Sequence, residues 1–340
     1  MRSLEPNNIE LHSVIGTGAD YEVRLAGHPG EDPSIVVKRP NPHAILKNLH
    51  ASTESRTSKM VTFHETLGNQ VDGLTQIIGH FQNTPDNPVL YSDELGFAYT
   101  VVCQSRAPGI PLNADVRARI LKVPTGLGQT LFSLFPLGIE DKFSIPKKLM
   151  EIQTQLYNNG YLLFDLNPQN VFYSPNSDSI NVIDTADLHD LNADNDIKTS
   201  NKSLEDYFVE LIRYFVASEN IPQHESGYFT PRGDRPYISI DSELDILKRE
   251  FEDLNTHDSA LMITILNRIS SKTYPDISAF NNDMLVYFAE TEKRLEIASS
   301  NPELLKAWNE ARSSFTHDHW SRYDFDTNTD SLQNGDKNGE

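Results

Sequence analysis

"YLLFDLNPQNVFYSPNSDSINVID", residues 161–184, holds Asp165, then Asn170 five residues later, then Asp184 fourteen after that. These are three hard oxygen donors, but turn chemistry also produces such a scatter. The flanks give the stretch its frame. Before it, "FSIPKKLMEIQTQLYNNG" (143–160) sets Ile145, Leu149, Ile152 and Leu156 at offsets 0, 4, 7 and 11, one apolar helical face. Ser144 suits its cap, Pro146 its first turn and Gly160 its stop. Within it, "INVID" (180–184) reads as a short buried strand ending on Asp184, and after it "LEDYFVELIRYFVA" (204–217) reads as a strongly apolar helix.

Toward the N-terminus the pattern changes. "SVIGTGADYEVRLAG" (13–27) places Val14, Tyr21, Val23 and Leu25 around a Gly-rich turn, a hairpin of two strands. "SIVVKRP" (34–40) is a third strand stopped by Pro40. Met60, Phe63 and Leu67 at helical spacing predict one modest helix within 41–70, and "TQIIGHF" (75–81) and "FAYTVVCQ" (97–104) predict two more strands. The change to helical character comes at "APGIPL" (107–112), so the expected organisation is residues 1–104 as a small strand-rich lobe and 105–315 as a larger helical lobe. Helical patterns continue in "SELDILKREFEDL" (242–254) and "LLKAWNEARSSF" (304–315), and residues 316–340 read as a disordered, acidic, polar tail.

The chain has 340 residues and a formal net charge of −20, which repels nucleic-acid phosphates and favours a basic partner. The same field repels nucleotides at long range, so a nucleotide site must supply its own local positive charge and metal. No apolar run reaches membrane-spanning length, and "MRSLEPNNIELHS" lacks the apolar stretch of a secretory signal. With Cys103 as the single cysteine, no internal disulfide can form; a cytoplasmic, reducing setting is expected.

Taken in order, Gly16-Thr17-Gly18 between two strands, Lys38 on the third, and then Asp165, Asn170 and Asp184 resemble the protein kinase superfamily. The resemblance covers about residues 12–217 and centres on "DLNPQN" (165–170). It implies an α+β, bilobal protein kinase-like fold: a small antiparallel sheet lobe, then a larger, mainly helical lobe. It implies ATP and Mg²⁺ as cofactors. Gly16, Thr17, Gly18 and Val23 would cover the nucleotide, Lys38 would hold its phosphates, and a helix glutamate would hold Lys38. Glu54 and Glu65 are the candidates, and Glu65 is preferred because "TQIIGHF" follows it at the expected distance. The backbone of Val102, Cys103 and Gln104 would meet the base, Asp165 would orient the acceptor hydroxyl, and Asn170 and Asp184 would bind Mg²⁺. Asp206 would brace the loop around Asp165.

The chain departs from the family pattern at several positions. Tyr21 stands for the third glycine, Leu163-Phe164 for His-Arg, Asn167 for a lysine, and Thr185-Ala186 for Phe-Gly; no "APE" follows. Transfer of the γ-phosphate to a protein Ser/Thr hydroxyl is the expected activity. A small-molecule kinase of the aminoglycoside or choline type, a nucleotide-binding pseudokinase scaffold and a nucleotide transferase are the other readings. Cys103 reads more readily as a core residue than as a modifiable thiol. "DLHDLNADND" (187–196) lacks the glycine and closing glutamate of a calcium loop, "HDHW" (317–320) lacks further metal partners, and "NKS" (201–203) carries no meaning as a sequon in a reducing compartment.

Overall fold

The computed structural model describes residues 6–18, 20–43, 50–68, 70–92, 95–111, 144–166, 170–174, 177–192, 203–215, 244–245, 247–249, 251–252, 257–299 and 302. The tail, "HDHW" and the middle of "DLNPQN" lie outside them. The described chain divides into two units. One takes the N-terminal residues up to Pro108 together with Asn181–Leu188; the other takes Gly109–Ile180 and the chain from His189 on.

In the first unit, β1 (Glu10–Thr17), β2 (Tyr21–Gly27), β3 (Ile35–Pro40), β4 (Ile77–Asn83) and β5 (Tyr99–Ser105) form one sheet in the order β1-β2-β3-β5-β4. All its pairings are antiparallel. Alternation along the strands sorts the side chains onto two faces. Ala26, Ile35, Val37, Val101 and Cys103 pack on one face with Ile9, Tyr91 and Tyr99. Val102 and Ile77 meet Met60 and Val61 of helix α1 (His50–Thr66) on the other. Helix α1 is polar in composition, and its packing rests on a narrow stripe: Thr53, Thr57, Met60, Val61 and His64 are all buried.

Cys103 is fully buried in the first of these faces, and burial pushes its thiol up to about 12. Native protein is therefore expected to resist a thiol reagent at pH 8 and to label stoichiometrically only in denaturant; labelling of the native chain would contradict this placement.

Asn181–Leu188 joins the first unit through backbone pairing. The Val182 N–H donates to Gly73 O (2.8 Å), and Thr75 donates to Val182 O from both its N–H and its hydroxyl (3.0 Å each). A parallel bridge between Leu74 and Val182 completes the contact.

The second unit is mainly helical, with α2 (Ser144–Asn158), α3 (Leu204–Phe215), α4 (His257–Ser270) and α5 (Ile277–Ser299). Its core includes Leu149, Leu156, Phe208, Leu211, Ile265, Leu266, Phe280 and Phe288. Short strands carry the connections: β6 (Ile110–Pro111), β7 (Tyr161–Leu163) and β8 (Val171–Ser174), with β9 (Ser179–Val182) and β10 (Leu188–Asp190) at the edges of the inserted segment. Helix α2 ends as expected: Gly160 has φ 85° and donates to Tyr157 O (2.9 Å), and a Cβ there would collide with Asn192. Its start differs, because the Ser144 hydroxyl is engaged by Lys148 (2.6 Å) and lies 3.4 Å from Asp178. The expected class is the observed one, an α+β chain with a small antiparallel sheet followed by a larger helical part.

Candidate active site

In the first unit the sheet delivers Lys38. Strand β3 lies between β2 and β5, so Lys38 is central in the sheet and no edge is available for its side chain to reach water. The residue is 4% exposed and pairs with Val23 on one side and Val102 on the other, which puts all three on the α1 face. Its Nζ donates to the carbonyl of Ile183 (2.7 Å), the residue before Asp184. Burial lowers its proton affinity below the ordinary lysine value, and the Asp184 charge acts in the opposite direction. Among the described residues this ammonium has one hydrogen-bond partner for three N–H groups. Such a group suits anionic phosphate oxygens.

The expected pairing of Lys38 with Glu65 is not what the structure holds. The Glu65 carboxylate is about half exposed and pairs with His80 (3.1 Å). Glu54 also points elsewhere, accepting the N–H of Thr100 (3.0 Å) and its hydroxyl. The reason is helical phase: Thr57, Met60 and His64 form the buried row, and both acids lie to one side of it, on the flank beside Val61. The α1 residue beside Lys38 is His64. It is 3% exposed, and its Nε2 lies 3.0 Å from the hydroxyl of Thr185. No sequence pattern marked it, since a lone helical histidine is uninformative.

Burial, with the Lys38 charge adding to it, pushes His64 down to about 4. Between pH 6.5 and about 4 the folded chain therefore binds fewer protons than the unfolded one. Stability from this residue is complete above pH 6.5 and is lost as pH falls toward 4, by on the order of 3 kcal/mol. His64→Gln is expected to remove that part of the slope in urea titrations at pH 7 and pH 4.5. An unchanged slope would contradict it.

The Gly-rich turn forms as expected: Gly16 pairs with Val23, Thr17 with Glu22, and the Gly18 N–H closes the turn on Tyr21 O (2.8 Å). Tyr21, in the place of the third glycine, is buried on the same face as Val23. Its hydroxyl bonds Thr57 of α1 (2.8 Å), and Lys38 Nζ is 6.0 Å from its ring centre. Burial pushes its hydroxyl up to about 12, so it stays protonated. Asp20 accepts from Arg56 and from Thr53 (3.0 Å), and Asn41 donates to Gly18 O (2.6 Å). The turn is thus fastened to the front of α1. Gln104 is 1% exposed, and its Nε2 has no partner among the described residues. Asp184 accepts the Ala186 N–H (3.0 Å), which shapes its turn.

In the second unit β7 leads into Asp165. Leu163 and Phe164, in the His-Arg positions, are core residues. Gln153 of α2 takes both backbone groups of Leu163 (3.2 and 3.4 Å), and Phe164 meets His189 edge-on. Asp165 itself is exposed and has φ 56°, a left-handed conformation that Asp tolerates better than most residues. Asn170 donates its side-chain N–H to Asp165 O (2.9 Å), which commits the amide nitrogen to the loop and leaves its oxygen as the atom able to meet a cation.

The brace on this loop is Glu210, not Asp206. Glu210 of α3 accepts the N–H groups of Asp165 (3.4 Å) and Leu166 (3.3 Å). Asp206 is occupied one turn earlier, where it accepts the N–H (2.6 Å) and hydroxyl (3.0 Å) of Ser203 as the return half of a capping box. The Ser-x-x-Asp spacing of "SLED" was the signal for that role.

Asp184 belongs to the first unit and Asn170 to the second. Asp184 and Asn170 offer the oxygen chemistry that Mg²⁺ accepts alongside water and phosphate. Among the described residues no group of three or more His, Cys, Asp or Glu is placed to hold a metal ion. No helix among them is long and apolar enough to cross a membrane.

Solved structures similar to this chain include the following two. One, the PpkA-294 apo form, is 15% identical and covers 53% of this chain and 59% of its own, less than two thirds, with a TM-score of 0.35. The other, a Stt7 homolog from Micromonas algae soaked with ATP, is 13% identical, covers 96% of this chain and 84% of its own, and has a TM-score of 0.42. No family model and no curated protein matches the chain. The element order described above is a five-stranded antiparallel sheet with one helix, then a mainly helical part that carries the Asp165 loop.

Proposed function

We propose that the chain is a Mg²⁺·ATP-dependent phosphotransferase that moves the γ-phosphate to a Ser/Thr hydroxyl of a protein. The observation that carries this is Lys38, a buried ammonium held 2.7 Å from the carbonyl preceding Asp184 with donors to spare. Lys38 binds and neutralises phosphate oxygens, and Gly16, Thr17 and Gly18 offer backbone to them. Val23 and the backbone of Val102, Cys103 and Gln104 receive the base. Asp165 orients the acceptor hydroxyl and takes its proton as the new O–P bond forms and the bond to the leaving diphosphate breaks. Asp184 and Asn170 hold Mg²⁺, which supplies charge neutralisation when bound. Positioning and electrostatics account for most of the rate. The net charge of −20 suits a basic acceptor in a reducing, cytoplasmic setting.

A second reading, a nucleotide-binding scaffold without turnover, is favoured by Tyr21 beside Lys38 and by the absence of a carboxylate from α1 at that lysine among the described residues. A small-molecule hydroxyl as acceptor is compatible with Asn167 and the missing "APE".

Incubation with ATP, Mg²⁺ and a basic protein, followed by ADP release and intact mass, separates these readings. Turnover that disappears in Asp184→Ala supports the phosphotransferase. Mg²⁺-dependent binding without turnover, on protein and metabolite acceptors alike, supports the scaffold. A mass gain of one nucleotide would indicate nucleotide transfer, and absence of ATP binding would overturn the proposal.

A further inference from the structure

We propose that His64, through its hydrogen bond to Thr185, is the positioning residue that holds the Asp184 turn against helix α1, in the place where the resemblance puts a glutamate on Lys38. The role assigned to Asp184 rests on the phosphotransferase reading; the tie between helix and turn rests on geometry alone. The imidazole is 3% exposed and Thr185 1%, with 3.0 Å between Nε2 and Oγ1. The Thr185 hydroxyl is the ring's only hydrogen-bond partner among the described residues, because Nδ1 is buried without one. Thr185 is the next residue after Asp184, so whatever fixes its hydroxyl limits where the Asp184 carboxylate can go.

A neutral tie differs from an ion pair in what it leaves to Lys38. A glutamate on the ammonium would use one or two of its N–H groups. Among the described residues only the Ile183 carbonyl uses one, which leaves the rest for an anionic ligand. Two buried neutral groups also avoid the desolvation cost of a buried carboxylate. Burial, with the nearby Lys38 charge adding to it, works against protonation of the ring, which keeps the tie neutral. At its other end α1 is fastened to the Gly-rich turn by Tyr21 to Thr57 and Asp20 to Arg56. The helix therefore connects the phosphate-covering turn to the metal-side turn without engaging the lysine.

The test compares Thr185→Val, His64→Leu, their double variant and His64→Gln, whose amide keeps a polar group in reach of Thr185. The first readout is amide hydrogen exchange of the ligand-free chain. Thr185→Val and His64→Leu are each expected to speed exchange in residues 182–188 by about tenfold, one hydrogen bond's worth, with the β1–β2 hairpin unchanged. The double variant should go no further, and His64→Gln should restore most of the protection. The second readout is phosphate transfer, where the same variants should raise the Mg²⁺ concentration giving half-maximal rate and lower kcat, with KM for ATP little changed. Exchange at 182–188 that is unaltered, that rises equally across the whole first unit, or that adds in the double variant would overturn the proposal. A native chain that transfers no phosphate would overturn the phosphotransferase reading alone; the exchange result would then still decide for or against the tie.

Discussion

A chain carrying Lys38→Met is expected to lose phosphate transfer by about a thousandfold and yet to unfold at a slightly higher temperature. The two effects have one cause. The ammonium is 4% exposed, and its partners among the described residues are one carbonyl, the charge of Asp184 and the Tyr21 ring 6.0 Å away. Taking an ammonium out of water costs several kcal/mol after relaxation, whereas one charge-assisted hydrogen bond returns about 1.5–3 kcal/mol. Methionine fills a similar volume without the charge, so the desolvation saved exceeds the bond lost by on the order of 1 kcal/mol, a few degrees in midpoint. Thermal melts without ligand, beside ADP release with Mg²⁺·ATP, check both halves. A lowered midpoint would mean that the ammonium is better satisfied than its geometry indicates. Unimpaired transfer would remove Lys38 from the chemistry.

The other large effect is expected from Asp165→Asn. If Asp165 orients the acceptor hydroxyl and takes its proton, the amide should cut turnover by about 10²–10⁴-fold while the affinity for Mg²⁺·ATP stays within a factor of three. Asparagine is the informative replacement because Asp165 has φ 56°, a conformation that Asn also accepts. The two backbone N–H groups held by Glu210 are unaffected by the change. A urea melt of the variant accompanies the rate, and a loss of rate at unaltered stability is read as lost chemistry. Alanine would add backbone strain of about 1 kcal/mol and confuse the two. Equal turnover of native chain and variant would exclude the assigned role.

The outline of the fold was legible because periodicities carry it. The apolar runs around Val23, Val37 and Val101 marked strands, and the stripe Ile145, Leu149, Ile152, Leu156 marked α2. Helix α1 was legible only as an element, because its stripe mixes threonine, methionine and histidine and its phase could not be read from hydrophobicity. That is why Glu65 was assigned to Lys38 when the helix turns it toward His80. The confusion of Asp206 with Glu210 has a related origin. The two lie one turn apart on the same face, and reach separates them: the shorter side chain closes its own helix start, and the longer one spans to the loop. The order Lys38, Asp165, Asn170, Asp184 was visible as residue types at spacings. The tie from His64 to Thr185 spans 121 positions and leaves no local trace.

Asn181–Leu188 completes the first unit although more than seventy residues of the second separate it from Pro108. During synthesis, the sheet and α1 can leave the ribosome long before Val182 and Ile183 exist. Until then Thr75, His64 and Lys38 lack the partners they have in the finished chain. Residues 1–108 expressed alone should accordingly be less cooperative than their sheet would suggest, and a peptide covering 181–188 should restore protection to β3 and α1. The nascent chain has to close a long loop before its first unit can settle, so maturation of that unit is timed by translation of a later segment.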